Sequence, residues 1–137
     1  MMKRGLDIYP THTCFDDALD LMARIAMKDL RKREILYLVH AICLDSDGQP
    51  FAHAWVEEGP YVWFSGKVKG EFGYCQVYRD EYYAYMQVQD TTKYDIGEAA
   101  RENQRTNNYG PWKRKYYVLC KNYLPGMKTP DYLRDEE

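Results

Sequence analysis

The 137-residue sequence has no long apolar run and no excess of charge of one sign. A membrane-spanning helix needs about 20 consecutive apolar residues, and no stretch approaches that length, so no membrane partner is expected. Nineteen basic and 21 acidic side chains leave a formal charge of −2, which gives no overall attraction to nucleic acid. No apolar signal-peptide segment follows Lys3 and Arg4, so a cytoplasmic protein is predicted.

The sequence also lacks paired cysteines, internal repeats and low-complexity linkers. Its four cysteines (Cys14, Cys43, Cys75 and Cys120) are widely spaced, with no C-x-x-C motif. This spacing favours neither a zinc ribbon nor a disulfide framework, and it suits a reducing compartment. We therefore expect no metal and no cofactor. A chain of this length fits one domain, and residues 1–137 are predicted to form it.

The hydrophobic pattern predicts an α+β fold, with an N-terminal helix packed on an antiparallel sheet. Thr13 and Asp16 resemble a capping box, and apolar residues at helical spacing extend this helix to about residue 29 or 32. A second helix is predicted from Asp95 to about residue 107, with Glu98 as its capping partner. Strands are predicted over 34–44, 51–57, 61–65, 73–78, 82–88 and 116–120, with a helical turn over 80–89 as an alternative to the fifth.

Cys14 is the first candidate for chemistry, because it falls in the first turn of the predicted helix. Unpaired backbone N–H groups and the helix dipole stabilise a thiolate there, which lowers the thiol pKa. Asp16, Asp17 and Asp20 act against this effect, since nearby carboxylates oppose a second negative charge. The alternative is that Cys14 is a small apolar residue packed at a helix end.

His53 is the second candidate, and it belongs to a segment in which side chains alternate between two faces. His53 and Trp55 are predicted to share one face, and Ala54 and Val56 the other. A nucleophilic cysteine needs a base within hydrogen-bond distance, and His53 is the predicted base. The alternative is a partly buried histidine with a structural role.

Together, the helix-opening Cys14 and the strand from His53 to Glu57 (HAWVE) resemble the papain-like superfamily. The similarity covers about residues 11–66 and is greatest to bacterial transglutaminase-like and NlpC/P60-like cysteine hydrolases. The resemblance implies a papain-like core and a thiol hydrolase or acyltransferase that acts on amide bonds of a peptide or protein. Cys14 would be the nucleophile, and Ser65 would replace the polar residue that usually orients the histidine.

Three further residues have open interpretations. The hairpin brings His40 opposite or diagonal to His53, where it would support His53 or have a structural role. Convergence of Cys14, His40 and His53 on zinc, with His12 as a fourth ligand, is the less favoured alternative. Trp112 lies in a loop over 107–112, and it either packs on the core or borders a substrate cleft.

The chain also contains 14 tyrosines, many of them between residues 61 and 123. Tyrosine suits half-buried strands and also provides contact area at binding surfaces. The alternative function is therefore a non-catalytic interaction or inhibitor protein on a degenerate papain-like scaffold, of the kind that phages or mobile elements encode. Its partner would be a protein, and the oligomeric state stays undetermined by the sequence.

Overall fold

An antiparallel sheet with helices on both faces forms the centre of the fold. The structure is a computed structural model that describes residues 6–7, 14–68, 71–123 and 131–133. Its strands are β1 (Leu6–Asp7), β2 (Leu36–Leu44), β3 (Pro50–Glu58), β4 (Tyr61–Val68), β5 (Glu71–Tyr78) and β6 (Asp90–Tyr94). Its α-helices are α1 (Cys14–Lys28), α2 (Arg79–Met86), α3 (Ile96–Thr106) and α4 (Arg114–Tyr123), and short 3₁₀ helices cover Leu30–Glu34 and Asp131–Leu133.

The strands form one sheet in the order β1-β4-β3-β2-β6, and β5 also pairs with β4. Each pairing is antiparallel. Strand β3 pairs with β4 only next to their connecting turn, from Val56↔Trp63 to Glu58↔Tyr61. The far end of β4 pairs with β1 instead. The predicted α+β fold is confirmed, including an N-terminal helix packed on an antiparallel sheet.

The β2–β3 hairpin fixes which side chains share a face of the sheet. The Asp45 carboxylate closes its turn by accepting hydrogen bonds from the backbone N–H groups of Asp47 and Gln49, both at 2.9 Å. In the resulting register His40 lies opposite Ala54, and Ala41 lies opposite His53. Because paired residues project to the same face and neighbours to opposite faces, His40 and His53 point to different sides of the sheet.

A separate hydrophobic cluster covers each face. Helix α1 covers one face, where it packs on the small side chains Ala52 and Ala54 of β3 together with residues of α3 and α4. Helix α2 covers the other face, where Tyr82 and Met86 pack on Phe51 and Trp55. The sheet therefore separates two cores, and the faces of β3 alternate as the sequence predicts.

The helix ends follow local signals in the sequence. Helix α1 begins at Cys14, as predicted; the proposed cap Thr13 lies outside the described residues. The Asp95 side chain accepts from the Glu98 N–H (2.8 Å), and Glu98 accepts from the Asp95 N–H (3.0 Å). Helix α3 ends at Thr106, and the next residue, Asn107, caps it in a left-handed conformation. The predicted capping box and helix end are confirmed.

Two predicted strands are helices instead. The segment 82–88 belongs mainly to α2, the alternative that the sequence left open, and 116–120 belongs to α4. In both segments aromatic residues raise strand propensity, but burial at helical spacing on a core determines the structure. Strand β6 was not predicted, because its sequence (DTTKY) is polar and only Tyr94 is fully buried.

No helix in the described ranges is long and apolar enough to cross a membrane.

Candidate functional site

Cys14 is held in the core beneath the sheet face that α1 covers. It is the first residue of α1 and only 5% exposed. It belongs to the cluster that contains Phe15, Ala52 and Ala54. The small alanine side chains of β3 let the beginning of the helix approach the sheet closely. The position at a helix start is therefore as predicted, whereas access from solvent is not.

His53 is buried on the other face, 2% exposed, among residues of the α2 cluster. Its Nε2 atom lies 2.8 Å from the Tyr82 hydroxyl, and its ring packs beside Phe51 and Trp55 at centroid distances of 5.9 and 5.7 Å. Its Nδ1 atom has no hydrogen-bond partner in the described part of the chain. Burial lowers the pKa of His53 to about 4, so the ring is neutral at physiological pH.

The sheet thus keeps Cys14 and His53 apart, and the predicted nucleophile–base pair does not form. The two side chains belong to different clusters on opposite faces, and the available imidazole nitrogen has no partner among the described residues. Alternation along β3 causes this, because α1 covers the face of Ala52 and Ala54 and therefore cannot cover that of His53. Ser65 lies in β4 opposite Tyr74, but its side chain is outside the described set.

His40 is enclosed by aromatic rings on the α1 face and does not support His53. The rings of Phe15, Tyr94, Trp112 and Tyr116 lie at centroid distances of 4.7, 5.2, 5.1 and 6.2 Å. Burial lowers the pKa of His40 to about 3. Among the described residues no three His, Cys, Asp or Glu side chains converge as a metal site would require; His12 lies outside them.

Trp55 and Glu57 belong to a buried polar network that the sequence did not reveal. The Glu57 carboxylate is 2% exposed and accepts from Trp55 Nε1 at 3.1 Å, from the Tyr83 hydroxyl and from Lys93 Nζ at 2.9 Å. These donors come from β3, α2 and β6, and those of Tyr83 and Lys93 lie 26 and 36 positions from Glu57 in the sequence. Because three donors hold the carboxylate, the network joins α2 and β6 to the sheet and has a structural role.

Trp112 packs in the core, as the structural interpretation of its loop predicted. It is 2% exposed, and its Nε1 atom donates to the Asn108 carbonyl at 2.9 Å. Its ring contacts His40 and Tyr94. The same residue also lines a polar cleft beside α3, and its role at a substrate cleft stays a prediction.

Comparison with known proteins adds no relative. The chain matches no protein-family model, no curated protein and no solved structure. The papain-like resemblance therefore rests on the sequence pattern of residues 11–66 alone. What the chain does must be inferred from its own surfaces.

An apolar groove lies between α1 and α3, and we call it the α1/α3 groove. Its volume is about 470 Å³, and Met22, Ala26, Ile96 and Ala99 contribute to its floor. Three apolar side chains on its border are exposed to solvent: Met27 (81%), Leu30 (66%) and Tyr109 (44%). Exposed apolar residues gathered at a concave surface are typical of interaction sites.

One end of the α1/α3 groove is positively charged. Lys28 ends α1 and Arg33 lines the groove, and neither has a carboxylate partner in the described ranges. Between them, Arg31 pairs with Asp29, and Lys32 pairs with Glu58. The sequence over 28–33 (KDLRKR) is basic and by itself does not indicate an apolar surface. The sequence signal for this surface was a pair of apolar residues outside the buried face of α1: Met27 in its last turn and Leu30 just after it.

Burial gives a direct prediction for the reactivity of Cys14. Iodoacetamide should modify Cys14 in the folded protein at least about tenfold more slowly than the partly exposed Cys75, because Cys14 reacts only after local opening. Peptide mass spectrometry over a time course measures both rates, and labelling in urea provides the control for intrinsic reactivity. Faster modification of Cys14 than of Cys75 would restore the case for an activated thiol.

Proposed function

We propose that this protein is a non-catalytic binding domain that recognises a partner protein through the α1/α3 groove. Burial of Cys14 and His53 on opposite faces supports this function over the thiol hydrolase, since an amide substrate needs access to both groups. The observation that carries the proposal is the concave apolar surface with exposed Met27 and Leu30 at its border.

The partner that fits this groove is an amphipathic helix with acidic residues at one end. A groove between two helices accepts apolar side chains that repeat every three or four residues along such a helix. Arg33 lines the groove and Lys28 ends the neighbouring helix α1, and neither has a carboxylate partner in the described chain. Acidic side chains beside the apolar anchors would complement this charge and orient the partner. The concave shape favours a helix over a flat lipid surface.

The test is a selection of helical peptides from a phage-displayed library on the immobilised full chain. We expect enriched peptides to carry apolar residues at i, i+3 or i+4 and i+7, with Asp or Glu near one end. Their affinity for a Met27→Glu/Leu30→Glu variant should fall at least about tenfold, since two apolar contacts are replaced by charge. Tyr78→Glu is the matched control, because Tyr78 is 57% exposed on β5 and does not line the groove.

Three results would contradict the proposal. One is a selection without enrichment, or with peptides that bind the double variant and the wild type equally. A second is concentration-dependent dimerisation that the double variant abolishes, because the occupant would then be a second copy of the chain. The third is binding to phosphatidylserine vesicles that depends on Met27 and Leu30, which would indicate a membrane surface instead.

A further inference from the structure

A second concave surface, a polar cleft, lies on the other side of α3. Its volume is about 560 Å³, within the range of roughly 300–1,000 Å³ that small-molecule sites occupy. Helix α3 forms one wall with side chains at positions 98, 101, 102 and 105, which share a helix face. Tyr94, Trp112, Lys113 and Tyr132 line the remainder of the cleft. This cleft is separate from the α1/α3 groove.

The carboxylates of the cleft already have partners, whereas two of its cations do not. Glu98 accepts from the Asp95 backbone N–H at 3.0 Å, and Glu102 accepts from Arg105 at 2.6 Å. Arg101 and Lys113 have no hydrogen-bonding or ion-pair partner among the side chains that the structure describes. Two cationic side chains with available N–H donors therefore line one cavity.

The polar atoms of Trp112 and Tyr132, two aromatic residues that line the cleft, already have hydrogen-bond partners. Trp112 Nε1 donates to the Asn108 carbonyl, and the Tyr132 hydroxyl donates to the Pro111 carbonyl, both at 2.9 Å. The guanidinium of Arg105 lies 6.0 Å from the centre of the Tyr132 ring. What the cleft still offers a ligand is positive charge beside an aromatic surface.

We infer that this cleft binds a small organic phosphate monoester that carries a planar ring. The phosphate oxygens accept from Arg101 and Lys113, because guanidinium and ammonium groups are the donors that proteins use for phosphate. The planar ring contacts the aromatic surface at Tyr132. Neither contact involves Cys14, His53 or the groove that we propose for a protein partner.

Isothermal titration calorimetry of the full chain tests this inference with three probes: phenyl phosphate, glycerol 3-phosphate and inorganic phosphate. Phenyl phosphate should bind at least about tenfold more tightly than inorganic phosphate because it adds ring contact. Arg101→Gln and Lys113→Gln should each weaken phenyl phosphate binding about tenfold, the effect of one lost charge-assisted hydrogen bond. Circular dichroism establishes that each variant is folded.

Lys28→Gln is the matched control, since it removes one unpaired cation from α1, outside the cleft. It should change the affinity for phenyl phosphate less than about twofold. Absence of phenyl phosphate binding would overturn the inference. So would equal affinity for the three probes, which indicates a site for the phosphate ion alone, or an equal loss in Lys28→Gln, which indicates attraction by net charge.

Discussion

Gly110→Ala is expected to lower the free energy of unfolding by about 3 kcal/mol. Gly110 has a φ of +114°, a conformation that residues with a side chain rarely adopt. A Cβ atom there would also lie 2.8 Å from Cε1 of His40. His40 cannot move aside easily, because the rings of Phe15, Tyr94 and Trp112 surround it. Urea unfolding of the two proteins at pH 7.5 measures the difference.

Gly48 and Gly97 provide matched controls for the two causes of this loss. Gly48 also has a positive φ, +78°, but nothing lies within 4 Å of the position that a Cβ atom would take, so Gly48→Ala carries backbone strain alone. Gly97 is in α3 and would make ordinary contacts, so Gly97→Ala should stabilise by about 0.5–1 kcal/mol. If Gly110→Ala costs no more than Gly48→Ala, the contact with His40 is not the determining factor.

Sequence signals predicted those parts of the fold in which the interacting residues lie close together in the sequence. The turn at Asp45, the alternation of β3 and the capping box of α3 each depend on residues a few positions apart. Helix α4 was predicted as a strand, and α2 was predicted only as the alternative to a strand. Their aromatic residues suit strands, and only the cores on which Tyr82 and Tyr116 pack favour the helical spacing.

The predicted pairing of Cys14 with His53 was wrong for a related reason. Alternation correctly placed His53 and Trp55 on one face, but the pattern within β3 does not say which face the first helix covers. The small side chains of Ala52 and Ala54 indicated which face the first helix covers, because a helix approaches a sheet most closely over such residues. The partner of His53, Tyr82, lies 29 positions away on a helix that the sequence placed among the strands.

Acidification should destabilise the protein well above the pH at which carboxylates titrate, because two neutral histidines are buried. The pKa of His40 is lowered from 6.5 to about 3, and that of His53 to about 4, by burial. The unfolded chain binds a proton at each ring below pH 6.5, while the folded chain does not. The stability that the two neutral rings contribute is therefore fully present above pH 6.5 and is lost as the pH falls towards these lowered pKa values.

The described groups around each ring do not supply a compensating negative charge. His40 faces the aromatic residues Phe15, Tyr94, Trp112 and Tyr116, none of which carries a negative charge at acidic pH. A neutral imidazole can direct its N–H at such ring faces, whereas an imidazolium would be buried without a counterion. His53 faces the Tyr82 hydroxyl, and burial raises the pKa of that phenol, so it too is neutral.

Each buried ring contributes a slope of about 1.4 kcal/mol per pH unit, so the two together give about 2.7 kcal/mol per unit between pH 6 and pH 4.5. Urea unfolding at several pH values measures this slope, and His40→Leu should reduce it by about half, because the ring that remains still titrates. Histidine proton resonances in the folded protein provide the second readout. A His40 resonance that titrates near pH 6 would show a hydrated ring and contradict the enclosed position on which this prediction depends.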